Sequence, residues 1–463
     1  MKSQGSGGLG AFFKEAFGDG VSAATLLLMV LAGALVFVWP LAHVIALRNT
    51  LLAGIFVWLA IDWVRKPEVR KGPQGAGAII VVLALFALWL LIVAFFVDEN
   101  PPHSFGEIKS QWLPASIAFA VGLMLPMNLN ARGLTLPACL RFLVYVLVGL
   151  SALQVAVGAW FLVRAGTLPG GYFDPFSAHK SYLTYVTAIA ASFLIADLVS
   201  PEKLRPLRLG SRALWVGLGI VVVATFFSGA RNGIITILLM GLLGSFFWMR
   251  RVWHPSGRAF WPSVLAGSAI FAVAIFLMLK SDVRWARFTA TVPVAWNIDA
   301  DHAWVNAEIT SLPPGTDGLP VERTAYERIS WAHAAIRLLY QHPLGVGVTR
   351  NAFKELVQKT YGNPYAAHSH NGYLDLGLSI GIPGLALWIL FCVIVILRGL
   401  KTGNGLNPGT GVALLLLVAG HCVRTGLDST LRDHILSEFM FFVGILLAAS
   451  SIEESTLINS EVR

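Results

Sequence analysis

The chain has 463 residues, of which 56% are hydrophobic and 13% are charged, about half the charged fraction of a soluble globular protein. This composition excludes a soluble fold and indicates that residues 1–463 form a single membrane domain. The net charge of +9 does not indicate nucleic-acid binding, because the basic residues occur in short runs between apolar segments and form no basic-aromatic recognition module.

Apolar segments long enough to cross a bilayer recur from Val21 onwards. The first segment lacks a convincing cleavage site, so we interpret it as a transmembrane helix rather than a signal peptide. About twelve spans are predicted, at residues 22–40, 43–63, 77–97, 112–127, 138–163, 182–199, 213–229, 232–249, 262–279, 373–397, 409–423 and 434–451. The sequence therefore predicts an all-α polytopic membrane protein.

The charges between the spans predict the orientation. Loops that follow even-numbered spans are basic, as Arg65 and Lys66, and Arg250 and Arg251, illustrate, whereas the short loops after odd-numbered spans carry fewer charges. By the positive-inside rule, both termini then lie in the cytoplasm. The long interval 280–372, inserted between the ninth and tenth spans, is expected to face the periplasm.

An interval of this length is expected to carry structure of its own. Residues 321–339 combine charged positions with apolar residues at helical spacing, and Pro343 ends the pattern. A second helix is predicted over 351–359.

Metal and disulfide chemistry find little support in the sequence. The cysteines are odd in number and lack paired spacing, which predicts neither a disulfide framework nor a zinc site: Cys139, Cys392 and Cys422. Asp299, Asp301 and His302 form only a short cluster, and neither an HExxH motif nor a nucleotide-type phosphate loop occurs. We expect no metal and no other cofactor.

The segment His368-Ser369-His370-Asn371 lies where the long interval enters the tenth span. Histidine accepts a proton near neutral pH, and a neighbouring asparagine can hold the imidazole ring or a substrate hydroxyl. Interfacial polar residues beside a membrane-anchoring Tyr373 are the alternative explanation. Two histidines and an asparagine at one membrane boundary favour a functional site.

The segment Ser228-Gly229-Ala230-Arg231-Asn232-Gly233 joins the seventh and eighth spans. An arginine at membrane depth is costly and is generally paired, and its guanidinium matches phosphate oxygens bidentately. The alternative is an arginine that snorkels or fixes the topology. Because basic residues are otherwise sparse on this side, anion binding is favoured.

A third segment runs from Tyr326 to Trp331 and continues through the Pro-Leu-Gly-Val-Gly stretch that begins at Pro343. Taken alone, Arg328 of this segment is most simply a solvated residue. Together with Arg284, Arg287 and Lys180, it predicts a cationic periplasmic cavity that concentrates an anionic lipid-diphosphate head group. A lipid-linked donor is expected because soluble nucleotide sugars are absent outside the cytoplasm.

These features together resemble the O-antigen ligase family, within the wider group of O-antigen polymerases and protein O-oligosaccharyltransferases. The resemblance covers the span layout, the large loop between spans nine and ten, and three motifs in the family's order: the segment 228–233, Arg328-Ile329-Ser330-Trp331 with its following Pro-Leu-Gly-Val-Gly, and His368-Ser369-His370-Asn371. It implies an all-helical bundle of the glycosyltransferase C class that works without a metal.

The resemblance also implies an activity, the transfer of a glycan from undecaprenyl diphosphate to lipid A–core on the periplasmic face of the bacterial inner membrane, with inversion. Arg231 and Arg328 look like the family's diphosphate-binding arginines, and His370 like its essential histidine, here a general base. The doublet leaves His368 as the other candidate, and the position beside Asn371 favours His370. The residues expected to support the site or bind substrate are His368, Asn371, Arg284 and Lys180.

Other functions fit parts of the pattern. A polymerase or a protein O-oligosaccharyltransferase of the same group would use the same motifs, but polymerases often bear two sizeable periplasmic loops, and only one is large here. A lipid or solute transporter would fit the many spans, but the two halves show no relation. A scaffold gives no reason for the polar motifs. The expected partners are the lipid-linked donor, the lipid A–core acceptor and membrane lipids, with no nucleic acid.

Overall fold

The computed structural model describes residues 22–69, 75–166, 180–252, 287–403 and 408–461. The helices of the first half are α1 (Ala23–Val38), α2 (Ile45–Arg65), α3 (Gly77–Phe96), α4 (Pro101–Glu107), α5 (Leu113–Ala131), α6 (Leu136–Ala165), α7 (Lys180–Val199), α8 (Ser211–Phe227) and α9 (Arg231–Val252). Those of the second half are α10 (Phe288–Trp296), α11 (Arg323–Gln341), α12 (Ala352–Thr360), α13 (Gly372–Gly403), α14 (Pro408–Leu427) and α15 (Asp433–Glu461). The described residues contain no β-strand.

Within these ranges, nine helical segments are long and apolar enough to cross a membrane, and one of them, Pro101–Ala131, runs from α4 through a π-helical turn (Ile108–Trp112) into α5. Helices α1 and α8 are apolar but shorter. The predicted span 262–279 lies outside the described residues. The prediction of an all-α, multi-pass membrane protein is confirmed, while the count of twelve and the orientation stay predictions.

Helix α15 is the central element of the bundle. Of its residues His434–Ile452, 94% are buried. It crosses α5 at two glycines: a Cβ at Gly122 would lie 2.1 Å from the carbonyl oxygen of Phe441, and one at Gly444 would lie 2.5 Å from that of Phe119. Small residues at such crossings let helix backbones approach closely.

The segment between α9 and α13 builds a second, smaller core. Trp304, Trp331 and Phe353 are buried in it, and Leu378 of α13 contributes as well. The predicted helices 321–339 and 351–359 are observed as α11 and α12. Glu322 caps α11, because its Oε2 accepts a hydrogen bond from the Ala325 N–H, as an N-cap side chain does.

Helix α13 is broken at Gly381 (φ 75°, ψ 176°), two residues before Pro383. A break of this kind leaves carbonyl groups of the preceding turn without helical partners. One of them, Ile380 O, accepts a hydrogen bond from Trp89 Nε1 at 2.8 Å. Another, Ser379 O, accepts from the Val346 N–H at 3.1 Å.

The Pro-Leu-Gly-Val-Gly segment thus docks into the break in α13. Gly345 requires φ +85°, and a Cβ there would lie 2.3 Å from Ser379 O. Gly347, at φ +124°, also donates its N–H to Ser379 O at 3.1 Å. Because this segment directly follows α11, its docking holds α11 beside the first turns of α13.

Candidate active site

His370 lies two residues before α13 in a left-handed backbone conformation (φ 56°), which residues other than glycine rarely adopt. The turn around it is held on both sides. The Ser369 N–H donates to Asp375 Oδ1 at 2.8 Å, and the Asn371 N–H donates to Ser369 Oγ at 3.2 Å. Backbone strain held by surrounding bonds is typical of functional sites.

Asn371 is the N-cap of α13. Its Oδ1 accepts from the Tyr373 and Leu374 N–H groups at 3.1 and 3.2 Å, and its Nδ2 donates to Gly426 O at 3.2 Å. The side chain therefore supports the histidine turn and ties it to the end of α14.

The His370 imidazole is held by three neighbours. Its Nδ1 lies 3.3 Å from Asp428 Oδ1, its ring stacks on Trp331 with a centroid distance of 5.4 Å and an interplanar angle of 18°, and His368 meets it edge-on at 4.2 Å. Because a carboxylate only accepts, Nδ1 carries a proton in this contact, and Nε2 is the atom that can act as a base when the imidazole is neutral. The hydrogen bonds of the described residues include none to Nε2, and the side chain is 27% exposed.

Asp428, which the sequence analysis missed, directly follows α14. Its Oδ1 also accepts from the Ser429 N–H at 2.9 Å, and its Oδ2 accepts from Asn232 Nδ2 at 3.0 Å. Burial alone would raise the pKa of this carboxyl, but the hydrogen bond and charge of His370 and the charges of Arg424 and Arg328 hold the pKa well below its ordinary value. Asp428 is therefore an anion beside the imidazole.

Asn232 brings the start of α9 to this carboxylate, and Arg231, the first residue of α9, is its immediate neighbour. A Cβ at Gly233 would lie 2.8 Å from Thr184 Cβ, so α9 begins in close contact with α7. The Ser-Gly-Ala-Arg-Asn-Gly turn thus places a half-buried arginine next to a residue that binds Asp428.

Arg328 approaches the same point from α11. Its Nη1 donates to Leu427 O at 3.1 Å, and its charge contributes to the lowered pKa of Asp428. The structure therefore gathers Arg328, His370 and the Arg231-Asn232 pair around the end of α14, although they come from three separate sequence motifs.

His368 has a different environment from His370. Its Nδ1 is buried without a hydrogen-bond partner. Burial, followed by the charges of His370 and Arg432, lowers the pKa of His368 to about 3. This imidazole is therefore neutral at physiological pH, but it lacks the carboxylate partner that orients His370.

The remaining predicted site residues are less informative. Lys180 is the first residue of α7, but its side chain lies outside the described part of the chain, and so does Arg284. Asp299, considered above for a metal, binds Arg337 through both carboxylate oxygens at 2.7 and 2.8 Å. Within the described ranges, no group of three or more His, Cys, Asp or Glu side chains could hold a metal ion.

The sequence model of the O-antigen ligase family matches residues 216–389. This segment is similar to the O-antigen ligase family. The predicted resemblance to the family is thereby confirmed. The matched segment includes Arg231, Arg328 and His370 but ends before Asp428. No curated protein sequence matches the chain.

The geometry defines what this site can do chemically. A neutral imidazole oriented by a buried carboxylate can take a proton from a hydroxyl group. Arginines beside it can bind an anion and stabilise charge that develops on a leaving group.

Proposed function

We propose that the protein is an O-antigen ligase that transfers a glycan from undecaprenyl diphosphate to a hydroxyl group of lipid A–core. One observation carries this proposal: His370 pairs with Asp428 at a point that two of the family's arginine motifs also reach. A base next to fixed cations suits an attack by a hydroxyl on a carbon that bears an anionic leaving group.

In the proposed reaction, His370 Nε2 takes the proton of the acceptor hydroxyl as its oxygen attacks the anomeric carbon of the donor. The bond from that carbon to the diphosphate oxygen breaks, undecaprenyl diphosphate leaves with the bonding electrons, and the configuration inverts. Asp428 stabilises the imidazolium that forms, as a buried carboxylate does for a catalytic histidine. General base catalysis of this kind contributes roughly a hundred- to ten-thousandfold in rate.

Arg231 and Arg328 are proposed to bind the diphosphate. A guanidinium cannot lose its charge under these conditions, and it matches phosphate oxygens bidentately. Fixed cations aimed at charge that grows in the transition state are often the largest contribution to catalysis. In this reaction they would take the role that a divalent ion has in many other transferases. Arg284 and Lys180 would add positive charge around the donor.

His370 rather than His368 is proposed as the base. Of the two imidazoles, only that of His370 has a carboxylate on Nδ1 to stabilise the imidazolium. The low pKa of His368, about 3, makes it a weak proton acceptor. Its edge-on contact at 4.2 Å suits a residue that supports the His370 ring.

The proposed location is the bacterial inner membrane, with both termini in the cytoplasm and the site on the periplasmic face. The support is the distribution of basic residues between the spans. Lipid-linked glycans with a diphosphate head group would then reach the site from the membrane.

The test is transfer by the purified protein with EDTA present, with undecaprenyl-diphosphate glycan offered together with lipid A–core, with a serine-containing peptide, or alone. Glycan-capped lipid A–core is the expected product. A longer lipid-linked glycan from the donor alone would identify a polymerase, and a glycosylated peptide would identify a protein transferase. Movement of the donor across proteoliposomes without any transfer product would indicate a transporter.

A further inference from the structure

A second polar cleft shares a wall with the His370–Asp428 pair. It lies between the π-helical turn Ile108–Trp112, the loop 348–350, the first turns of α13 and the turn 429–432. About 420 Å³ of space lies between these elements when the open solvent at the mouth is included. None of its described lining residues comes from α9 or α11, the helices that carry Arg231 and Arg328.

The shared wall is built from residues next to the catalytic pair in the chain. Ser429, which follows Asp428, donates its hydroxyl to Asp375 Oδ2. Asp375 Oδ1 in turn accepts the N–H of Ser369, the residue before His370. A molecule in the cleft would therefore contact the side chains that hold the histidine turn.

Most polar groups that line the cleft are already bonded. Glu107 binds Arg350 Nε through both carboxylate oxygens, at 3.1 and 2.9 Å. Gln111 Nε2 donates to Leu431 O at 2.7 Å. These bonds make a fixed polar lining.

Arg432 is different. Its Nε is buried and has no hydrogen-bond partner, and none of the hydrogen bonds described for the chain involves its guanidinium. Its charge contributes to the lowered pKa of His368, so the guanidinium lies near the histidine doublet. A buried donor without a partner is costly, which is the situation that a bound ligand relieves.

The geometry of the proposed reaction indicates which substrate would bind in the cleft. An inverting displacement needs the attacking oxygen and the leaving oxygen on opposite sides of the anomeric carbon. If the diphosphate binds the arginines of α9 and α11, the acceptor must approach the base from another side. The cleft is polar and lies next to the histidine turn, and none of its described lining residues comes from α9 or α11.

We infer that this cleft binds the terminal sugar of the acceptor, and that Arg432 hydrogen-bonds oxygen atoms of that sugar. The inference rests on the proposed ligase function. Guanidinium, carboxylate, amide and hydroxyl groups are the side chains that bind sugar oxygens, and a guanidinium also fits a phosphate carried by the sugar. Arg432 would then set acceptor affinity without contacting the donor diphosphate.

The experiment compares Arg432→Gln with wild type in initial-rate assays, varying lipid A–core at saturating donor and then the donor at saturating acceptor. The expected result is a rise in the acceptor KM of about ten- to a hundredfold, with the donor KM unchanged. Arg337→Gln is the matched control, because Arg337 lies at the surface and binds Asp299, and it should change neither constant.

An unchanged acceptor KM overturns the inference, and a raised donor KM overturns it by moving Arg432 to the donor side. If Arg432→Gln does not fold, Arg432→Lys keeps the charge and should raise the acceptor KM several-fold, so that no rise refutes the inference. If the wild type makes no product, the proposed function is wrong. If it makes product but the acceptor KM does not change in the Arg432 variants, only the inference about the cleft is wrong. A dephosphorylated acceptor distinguishes sugar hydroxyl groups from a sugar-borne phosphate as the ligand of Arg432. The rise in acceptor KM caused by Arg432→Gln persists with this acceptor if Arg432 binds hydroxyl groups and disappears if it binds the phosphate.

Discussion

Replacing Asp428 by asparagine removes the charge that orients the His370 imidazole while nearly preserving the shape of the side chain. The carboxylate accepts from His370 Nδ1 at 3.3 Å, Asn232 Nδ2 at 3.0 Å and the Ser429 N–H at 2.9 Å. A hydrogen bond to a charged group contributes about 1.5–3 kcal/mol. Losing that stabilisation of the imidazolium should slow transfer by about 10- to 150-fold.

The assay is the single-turnover rate of transfer with both substrates saturating, so that weaker binding does not enter. Asp299→Asn is the control, because Asp299 is also paired with a cation, Arg337, but its side chain is 60% exposed. A rate for Asp428→Asn within twofold of wild type, with an unchanged melting temperature, would refute the role of the carboxylate.

Three further predictions follow from the site and its supports. Arg231→Ala and Arg328→Ala should each lower the transfer rate by roughly a few tens-fold or more, because each removes a cation from the leaving diphosphate; a near-wild-type rate in either variant would contradict the assignment of that arginine. Folding lowers the pKa of His368 from its ordinary 6.5 to about 3. Between about pH 6.5 and pH 3, His368 therefore binds a proton in the unfolded chain but not in the folded protein, and the free energy of unfolding falls as the pH drops through this interval. In thermal unfolding, His368→Gln should lose less stability over that interval than wild type, and equal losses would contradict the burial of a neutral imidazole. Gly345→Ala should lower the melting temperature more than Gly133→Ala, since both have positive φ but only Gly345 has a backbone oxygen within 2.3 Å of the new Cβ; equal shifts would show that the contact at the break in α13 is unimportant.

Much of the helical architecture could be predicted from hydropathy, because a membrane helix must be apolar over most of its length. The ends of the helices could not. The predicted span 112–127 is part of a continuous helical segment that begins at Pro101. A proline fits the first turn of a helix. The residues around Pro101 are polar, so hydropathy alone does not include them in the predicted span. The predicted span 409–423 is part of α14, which ends at Leu427.

That difference in α14 also explains why Asp428 was missed. With the helix ending at residue 423, Asp428 would be one of several loop residues and would have no reason to meet His370. In the structure it directly follows α14 and faces an imidazole 58 residues away in sequence. A single carboxylate at such a separation forms no motif with the histidine, so only the packing of α13 against α14 reveals the pair.

The Pro-Leu-Gly-Val-Gly segment is a similar case. The role of its glycines depends on the break at Gly381 in α13, a helix that begins later in the chain. The carbonyl of Ser379, released by that break, is what the segment binds. The spacing of residues in the sequence does not predict such a contact.

The central claim is that His370 activates the acceptor hydroxyl, and the most direct test is in vitro transfer with EDTA present, comparing wild type, His370→Ala and His368→Ala. The account predicts glycan-capped lipid A–core from wild type, a reduced but measurable yield from His368→Ala, and no product from His370→Ala with its donor binding intact. Full activity in His370→Ala, or loss only in His368→Ala, would contradict it.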